Sequence, residues 1–232
     1  MICPSCKKQT LTSDLGAISG KWICKNCGYS GPIALEPEQK FRRFLTSNGV
    51  VVLCGKSAEQ NELLIKDFTA PNELVVHTAL PGSPFCVLKT EKPRLKDIKE
   101  AASICACFSK QWKAKKSSAC VHVFYGRDIY KEKGMPLGTF GVKKIAKEMN
   151  VKLELYVNVN KSNKLFVAPY KSKVIAILKP GKLTREQVVK EILRFSGLEI
   201  ENPELIPNNA AIIKKGEKKE EKKKEKRKNS KK

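Results

Sequence analysis

Residues 41–64 read Phe41-Arg42-Arg43-Phe44-Leu45-Thr46-Ser47-Asn48-Gly49-Val50-Val51-Val52-Leu53-Cys54-Gly55-Lys56-Ser57-Ala58-Glu59-Gln60-Asn61-Glu62-Leu63-Leu64. Asn-Gly between two apolar runs is a hairpin signal, because only a few residue types tolerate the positive φ of a tight turn. Residues 41–46 therefore read as one strand, 47–49 as the turn and 50–54 as a buried second strand. Gly55-Lys56-Ser57 then leads into a helix. Ser57 suits its N-cap, with Gln60 three residues on in the manner of a capping box. Leu63, Leu64 and Phe68 form its apolar face.

The same rhythm continues downstream. Residues 73–79 and 85–88 read as strands around the turn Pro81-Gly82-Ser83-Pro84. Residues 95–109 read as a helix, with Leu95, Ile98, Ala102, Cys105 and Ala106 on one face. A basic continuation with one tryptophan follows at 110–116. Residues 119–125 alternate as a strand, 128–142 form an extended stretch rich in Gly and Lys, and 143–149 read as a short amphipathic helix. Strands are then expected at 151–157, 164–167 and 173–178, and Pro180-Gly181 as a turn. Thr184 caps a helix running to about 195, with Val188, Val189, Ile192 and Leu193 inward. The class is α+β, with strands predominating.

Upstream, Cys3-Pro4-Ser5-Cys6 and Cys24-Lys25-Asn26-Cys27 are two CxxC pairs with seventeen residues between them. Four thiolates at this spacing suit one tetrahedral Zn²⁺. A redox motif or a disulfide is the plainer alternative, but a redox CxxC is usually single and opens a helix. Cys3, Cys6, Cys24 and Cys27 are thus expected to hold one structural Zn²⁺ in a small ribbon over residues 1–36, closed by Gly31-Pro32 and Glu36-Pro37. A central α+β domain is expected over 38–143, a small α+β segment over 150–200, and a disordered Lys/Glu tail over 214–232.

The chain has 232 residues and a formal net charge of +23. The 214–232 tail holds 12 Lys+Arg against 4 Glu, which leaves +15 on residues 1–213. Such a surplus implies a polyanionic partner, nucleic acid before a membrane surface. No apolar run approaches the roughly 20 residues that span a bilayer. Nine cysteines without a leader point to a reducing, cytoplasmic setting. Cys54, Cys86, Cys105, Cys107 and Cys120 lie in apolar stretches and read as buried small hydrophobes. Cys120 and His122 point the same way as ordinary strand neighbours, not as a nucleophile and its base.

Several motifs in the middle of the chain resemble the NFACT-R domain, the RNA-binding module of the family that includes the ribosome quality-control factors. They are the 41–49 hairpin, Gly55–Glu62, Val75-Val76-His77-Thr78-Ala79-Leu80-Pro81-Gly82-Ser83-Pro84, Phe108-Ser109-Lys110-Gln111-Trp112, Tyr130-Lys131-Glu132-Lys133-Gly134 and Gly138-Thr139-Phe140. Their order and spacing fit the family over about 38–143. Two departures stand out: Asn72 and Glu73 precede the histidine strand, and Thr78 follows His77. The family's tRNA-engaging N-terminal domain and its coiled coil have no counterpart in these residues. The resemblance therefore implies a stand-alone NFACT-R module, without template-free peptide elongation.

Family-matched polar positions are Asn61, His77 and Lys89. His77 can donate to a phosphate or a 2′-OH; a hydrogen-bonded structural histidine is the plainer reading. Lys110, Trp112 and Lys113, followed by Lys115 and Lys116, combine charge with a ring able to stack on a base. The alternative is a Trp packed at a helix end beside solvated lysines. Lys56 at a helix start offers backbone N–H groups and an ammonium to a phosphate, without the full P-loop pattern. Arg127, Lys131 and Lys133 complete the candidate RNA-binding set. The reading is a non-enzymatic RNA-binding protein of the translation apparatus, contacting tRNA or rRNA, probed against two others. An RNA-processing or RNA-modifying enzyme would need a carboxylate cluster or Cys/His pair outside the zinc set. An adaptor would use the ribbon or residues 150–200 to bind a protein partner.

Overall fold

The computed structural model describes residues 40–214, together with the backbone of Lys21–Ile23 and Ser30–Pro32. Two compact units divide the chain, Met1–Lys40 and Phe41–Lys232. In the first, β1 (Lys21–Ile23) pairs antiparallel with β2 (Ser30–Pro32), Trp22 opposite Gly31. The second CxxC pair falls in the connection between these strands. Cys3, Cys6, Cys24 and Cys27 themselves lie outside the described residues, as does the tail beyond Lys214.

The second unit is built on an antiparallel six-stranded sheet. Its strands are β3 (Arg42–Leu45), β4 (Val51–Cys54), β5 (Leu74–Thr78), β6 (Cys86–Leu88), β7 (Ser118–Tyr125) and β10 (Lys147–Lys152), ordered β10-β7-β5-β6-β4-β3. The β3–β4 turn forms as the Asn-Gly signal requires, with the Gly49 N–H donating to the Thr46 carbonyl at 2.9 Å. Helix α2 (Leu95–Cys107) fastens that turn. Thr46 Oγ1 donates to Asp97 at 2.6 Å, Asn48 Nδ2 to the same oxygen at 3.0 Å, and Ser47 donates twice to Glu100. Burial pushes the Asp97 carboxyl up, but bonds from Thr46, the Arg94 backbone and Asn48 hold it below its ordinary value.

Because strand side chains alternate, the sheet has two packed faces. Phe44, Val52, Val76, Leu88, Val121 and Val123 face α2. Ala101, Ala102, Ile104, Cys105, Ala106 and Cys107 of α2 are all fully buried. Lys96 and Lys99 keep one edge of α2 in solvent, but burial this extensive needs a second cover besides the sheet. The other cover is a four-stranded antiparallel sheet, β11 (Leu155–Val159), β12 (Leu165–Ala168), β13 (Lys173–Leu183) and β14 (Ala210–Lys214), backed by α4 (Arg185–Ser196). Leu155, Val157, Leu178, Val188 and Ile192 join the same core as Phe44 and Val76. The sheet's opposite face, carrying Leu53, Val75, Val87 and Phe124, packs under α1 (Ala58–Asp67) and a hairpin of β8 (Ile129–Tyr130) and β9 (Gly141–Val142).

Several expectations need correction. Residues 143–149 are not a helix: Lys147–Lys152 is the edge strand β10, paired in register with β7. The expected 151–157 strand is accordingly split, because Leu153 lies between β10 and β11. Residues 150–200 share one core with the central residues, and the 38–143 limit cuts the sheet before its last strand. Pro180-Gly181 is a bulge inside β13, where the Gly181 N–H donates to the Asn209 carbonyl at 2.7 Å. Leu95 and Leu193, assigned to apolar faces, are 48% and 46% exposed. Cys54 and Cys86 are buried as expected, but they are disulfide-bonded to one another across β4 and β6. Burial pushes the Cys105 thiol up to about 12 and the Cys107 thiol well above its ordinary value, so both are inert core groups.

Candidate nucleic-acid interface

Strand register sorts the candidate residues onto two rims of the six-stranded sheet. β4 ends at Cys54 opposite Cys86, where β6 begins, and β5 ends at Thr78 opposite Val121. Gly55, Lys56, His77, the 79–84 turn and Phe85 therefore lie at one rim. Ser57 caps α1 there, accepting from the Gln60 N–H at 3.3 Å, while Gln60 Oε1 accepts from the Lys56 N–H. Asn61, one turn in, accepts from the Phe85 N–H at 3.2 Å. A Cβ at position 55 would strike the Asn61 amide, so glycine there permits this bond. Asn61 thus pins the start of β6 to α1.

His77 stacks on Phe85 with ring centroids 4.6 Å apart, and Phe85 meets Phe140 edge-on at 5.6 Å. Burial holds the His77 imidazole below its ordinary range. Its Nδ1 donates to the Thr78 carbonyl at 2.8 Å. Lys110 opens the short helix α3 (Lys110–Lys113) over the same rim: its N–H donates to the Gly82 carbonyl at 2.8 Å. Lys113 is one turn further on, and both ammonium groups are exposed.

The 131–140 loop reaches this rim through Glu62. One Glu62 oxygen accepts from Lys131 Nζ and the Gly138 N–H, both at 2.8 Å, and the other pairs with Lys66 at 2.7 Å. Gly138 has φ +71°, and a Cβ there would lie 2.7 Å from the Ala58 Cα, so only glycine fits. The bond from Lys131, then that from Lys66, holds the Glu62 carboxyl down at about 2, against an ordinary value of 4.5. A depressed carboxylate contributes stability above its unfolded value and loses it as pH falls through the folded one. The loop anchor should therefore persist down to about pH 4.5 and fail toward pH 2. Glu62→Gln should speed hydrogen exchange of the Gly138 amide by about tenfold or more at neutral pH, leaving β5 and β7 protected. Unchanged exchange would show that other contacts hold the loop.

Trp112 does not belong to the interface. It is 1% exposed, and its Nε1 donates to the Asn208 carbonyl at 2.9 Å. No ring face is left to stack on a base. Lys89 and Arg127 sit at the opposite rim. Lys89 Nζ is held by Glu73 and the Phe68 carbonyl, both at 2.8 Å, and Arg127 donates to Asn72 at 2.6 Å and stacks on Tyr125. The convergent set is Lys56, Asn61, His77, Lys110, Lys113, Lys131 and, in the loop, Lys133. Lys56, Lys110, Lys113 and Lys133 are exposed and enter no ion pair among the described residues.

Two features escape sequence reading. Lys152, Lys171 and Lys179 line a cleft of about 640 Å³ between β10 and β13, residues that only the tertiary fold gathers. On the sheet face near His77, Cys120, His122 and Glu148 come together, with His122 Nε2 3.1 Å from a Glu148 oxygen. Burial and the neighbouring Glu148 push the Cys120 thiol up. Cys120 and His122 were visible as strand neighbours, but Glu148 sat on an expected helix.

Residues 40–144 match the family model described as the NFACT protein RNA binding domain. The chain thus contains an NFACT-R domain and is homologous to the Rqc2/NEMF ribosome quality control factors. It is 28% identical over 197 residues to the archaeal Rqc2 homolog aRqcH of Methanocaldococcus jannaschii, covering 76% of this chain and 29% of that protein. To the ribosome quality control complex subunit NEMF of Homo sapiens it is 28% identical over 90 residues, 38% of this chain and 8% of that protein. The chain therefore spans less than a third of the length of these curated relatives. A solved C-terminal part of the fibronectin/fibrinogen-binding protein from Streptococcus suis aligns with TM-score 0.45 and 26% identity, covering 49% of this chain and 45% of that one.

Proposed function

We propose that this protein is a non-enzymatic, ribosome-associated RNA-binding protein of the cytoplasm that contacts tRNA or rRNA through the rim of Lys56, His77, Lys110, Lys113, Lys131 and Lys133. The observation that carries the reading is their convergence on one rim within the segment matched to an RNA-binding domain. Exposed ammonium groups neutralise phosphates, and the rigid Asn61–Phe85–His77 arrangement presents the turn and loop between them. The formal charge of +23 adds a long-range attraction to any polyanion. No helix among the described residues is long and apolar enough to cross a membrane.

Counterion release sets the test. Log K for single-stranded RNA should fall by roughly 0.7 per neutralised phosphate against log salt. A flat salt response would contradict the reading, and in-cell crosslinking with sequencing of the attached RNA would separate tRNA from rRNA.

We also propose one structural Zn²⁺ on Cys3, Cys6, Cys24 and Cys27. The antiparallel β1–β2 pairing supports it, since it brings together the two ends of the segment that carries Cys24 and Cys27. A Cys24→Ser/Cys27→Ser variant should lose about one zinc per chain and unfold residues 1–36 while the second unit melts unchanged. A second unit that melted with it would make the ribbon part of one core. This ribbon, or the 150–200 segment, is also where a protein partner would dock.

A further inference from the structure

The sequence has two histidines, and they are direct cross-strand partners: His77 on β5 faces His122 on β7. On the other side of His122 in the same row lies Glu148 of β10, and Cys120 is two residues before His122 on the same face. Residues two apart on a strand, and residues opposite across a ladder, are the neighbours a sheet brings into side-chain contact. Cys120 Sγ, a His122 ring nitrogen and a Glu148 carboxylate oxygen lie within 4.8 Å of one another. His122 and Cys120 are half-buried, and Glu148 stands at the solvent edge.

We propose that Cys120, His122 and Glu148 form a binding site for a borderline-soft divalent cation, Zn²⁺ first. One soft sulfur, one imidazole nitrogen and one carboxylate oxygen suit Zn²⁺ and do not suit Mg²⁺ or Ca²⁺, which take oxygen ligands. Bonds of about 2.0–2.3 Å in a tetrahedron place ligand atoms about 3.3–3.6 Å apart. The His122–Glu148 pair, at 3.1 Å, is already near that separation. Binding sends the Cys120 thiol proton to solvent and replaces the His122–Glu148 hydrogen bond with two metal bonds. The thiolate and carboxylate supply two negative charges against the cation. Three protein ligands leave one position for water or a group from a bound partner. The site uses none of the four N-terminal cysteines and does not depend on the RNA-binding reading.

Residue-resolved alkylation tests it in the full chain, where total zinc content would mix the two sites. Cys120 modification by iodoacetamide is followed by peptide mapping, with and without Zn²⁺. At Zn²⁺ about ten times the dissociation constant, Cys120 should react about tenfold more slowly, because only the metal-free fraction reacts. Mg²⁺ should not protect. Glu148→Gln, at an exposed edge position where folding is undisturbed, and His122→Ala should each weaken the Zn²⁺ protection. Equal Cys120 rates with and without Zn²⁺ would overturn the proposal, as would full protection retained in both variants.

Discussion

Replacing Trp112 with alanine is expected to destabilise the second unit by about 3–5 kcal/mol, the range for removing a large buried aromatic. The indole is enclosed in the main core and is bonded to a carbonyl 96 residues away, at Asn208. It thereby ties α3 to the segment that leads into β14. Trp112→Phe keeps most of the apolar volume but strands the Asn208 carbonyl, and should cost about 1–3 kcal/mol. Urea unfolding of the three proteins measures this order directly. Under conditions where each variant remains folded, RNA affinity should change by less than about threefold, since the ring faces no ligand. A Trp112→Ala protein of native stability with strongly reduced RNA affinity would restore a stacking role for this ring.

The opposite pattern is expected at the rim. Lys56, Lys110, Lys113 and Lys133 are exposed, so changing all four to alanine should leave stability within about 0.5 kcal/mol per site. If each neutralises one phosphate, the salt slope should fall by about 3 and affinity at 0.15 M salt by about a hundredfold. A control at the other rim, Arg127→Ala, should have much less effect, because that side chain is already engaged by Asn72 and Tyr125. Equal losses from the two variants would mean that RNA is held by diffuse charge and not by one rim.

The elements that could be read from the chain are those whose local chemistry agrees with their tertiary role. The Asn48-Gly49 turn, the Ser57 and Thr184 caps and the alternation of 119–125 each announce themselves, and the structure keeps them. Where pairing overrides propensity, reading fails. Lys143-Lys144-Ile145-Ala146-Lys147-Glu148-Met149 has helix-forming residues with spaced apolar positions, yet β7 offers an open edge and recruits the residues from Lys147 on as a strand. That single error hid Glu148 from His122. β14 abuts the lysine-rich tail, and its apolar residues 210–213 form a strand only because β13 is there to pair. The bond between Cys54 and Cys86 depends on the β4–β6 register, which a separation of 32 residues does not disclose.

Asn61 and His77 were matched as RNA contacts, and the geometry adds a second duty: they brace the rim against Phe85 and Thr78. Lys131 likewise spends its ammonium on Glu62 and the Pro136 carbonyl, positioning the loop that carries Lys133. Sequence could place these residues in one family pattern. Only the fold separates those that hold the surface from those left facing solvent.

Ultraviolet crosslinking of the full chain to RNA, followed by mapping of the modified peptides, tests the central claim most directly. Crosslinks should concentrate in the 55–61, 77–82, 110–113 and 131–140 segments, which share one rim. Crosslinks confined to the opposite rim around Lys89 and Arg127, or to the 215–232 tail, would contradict it.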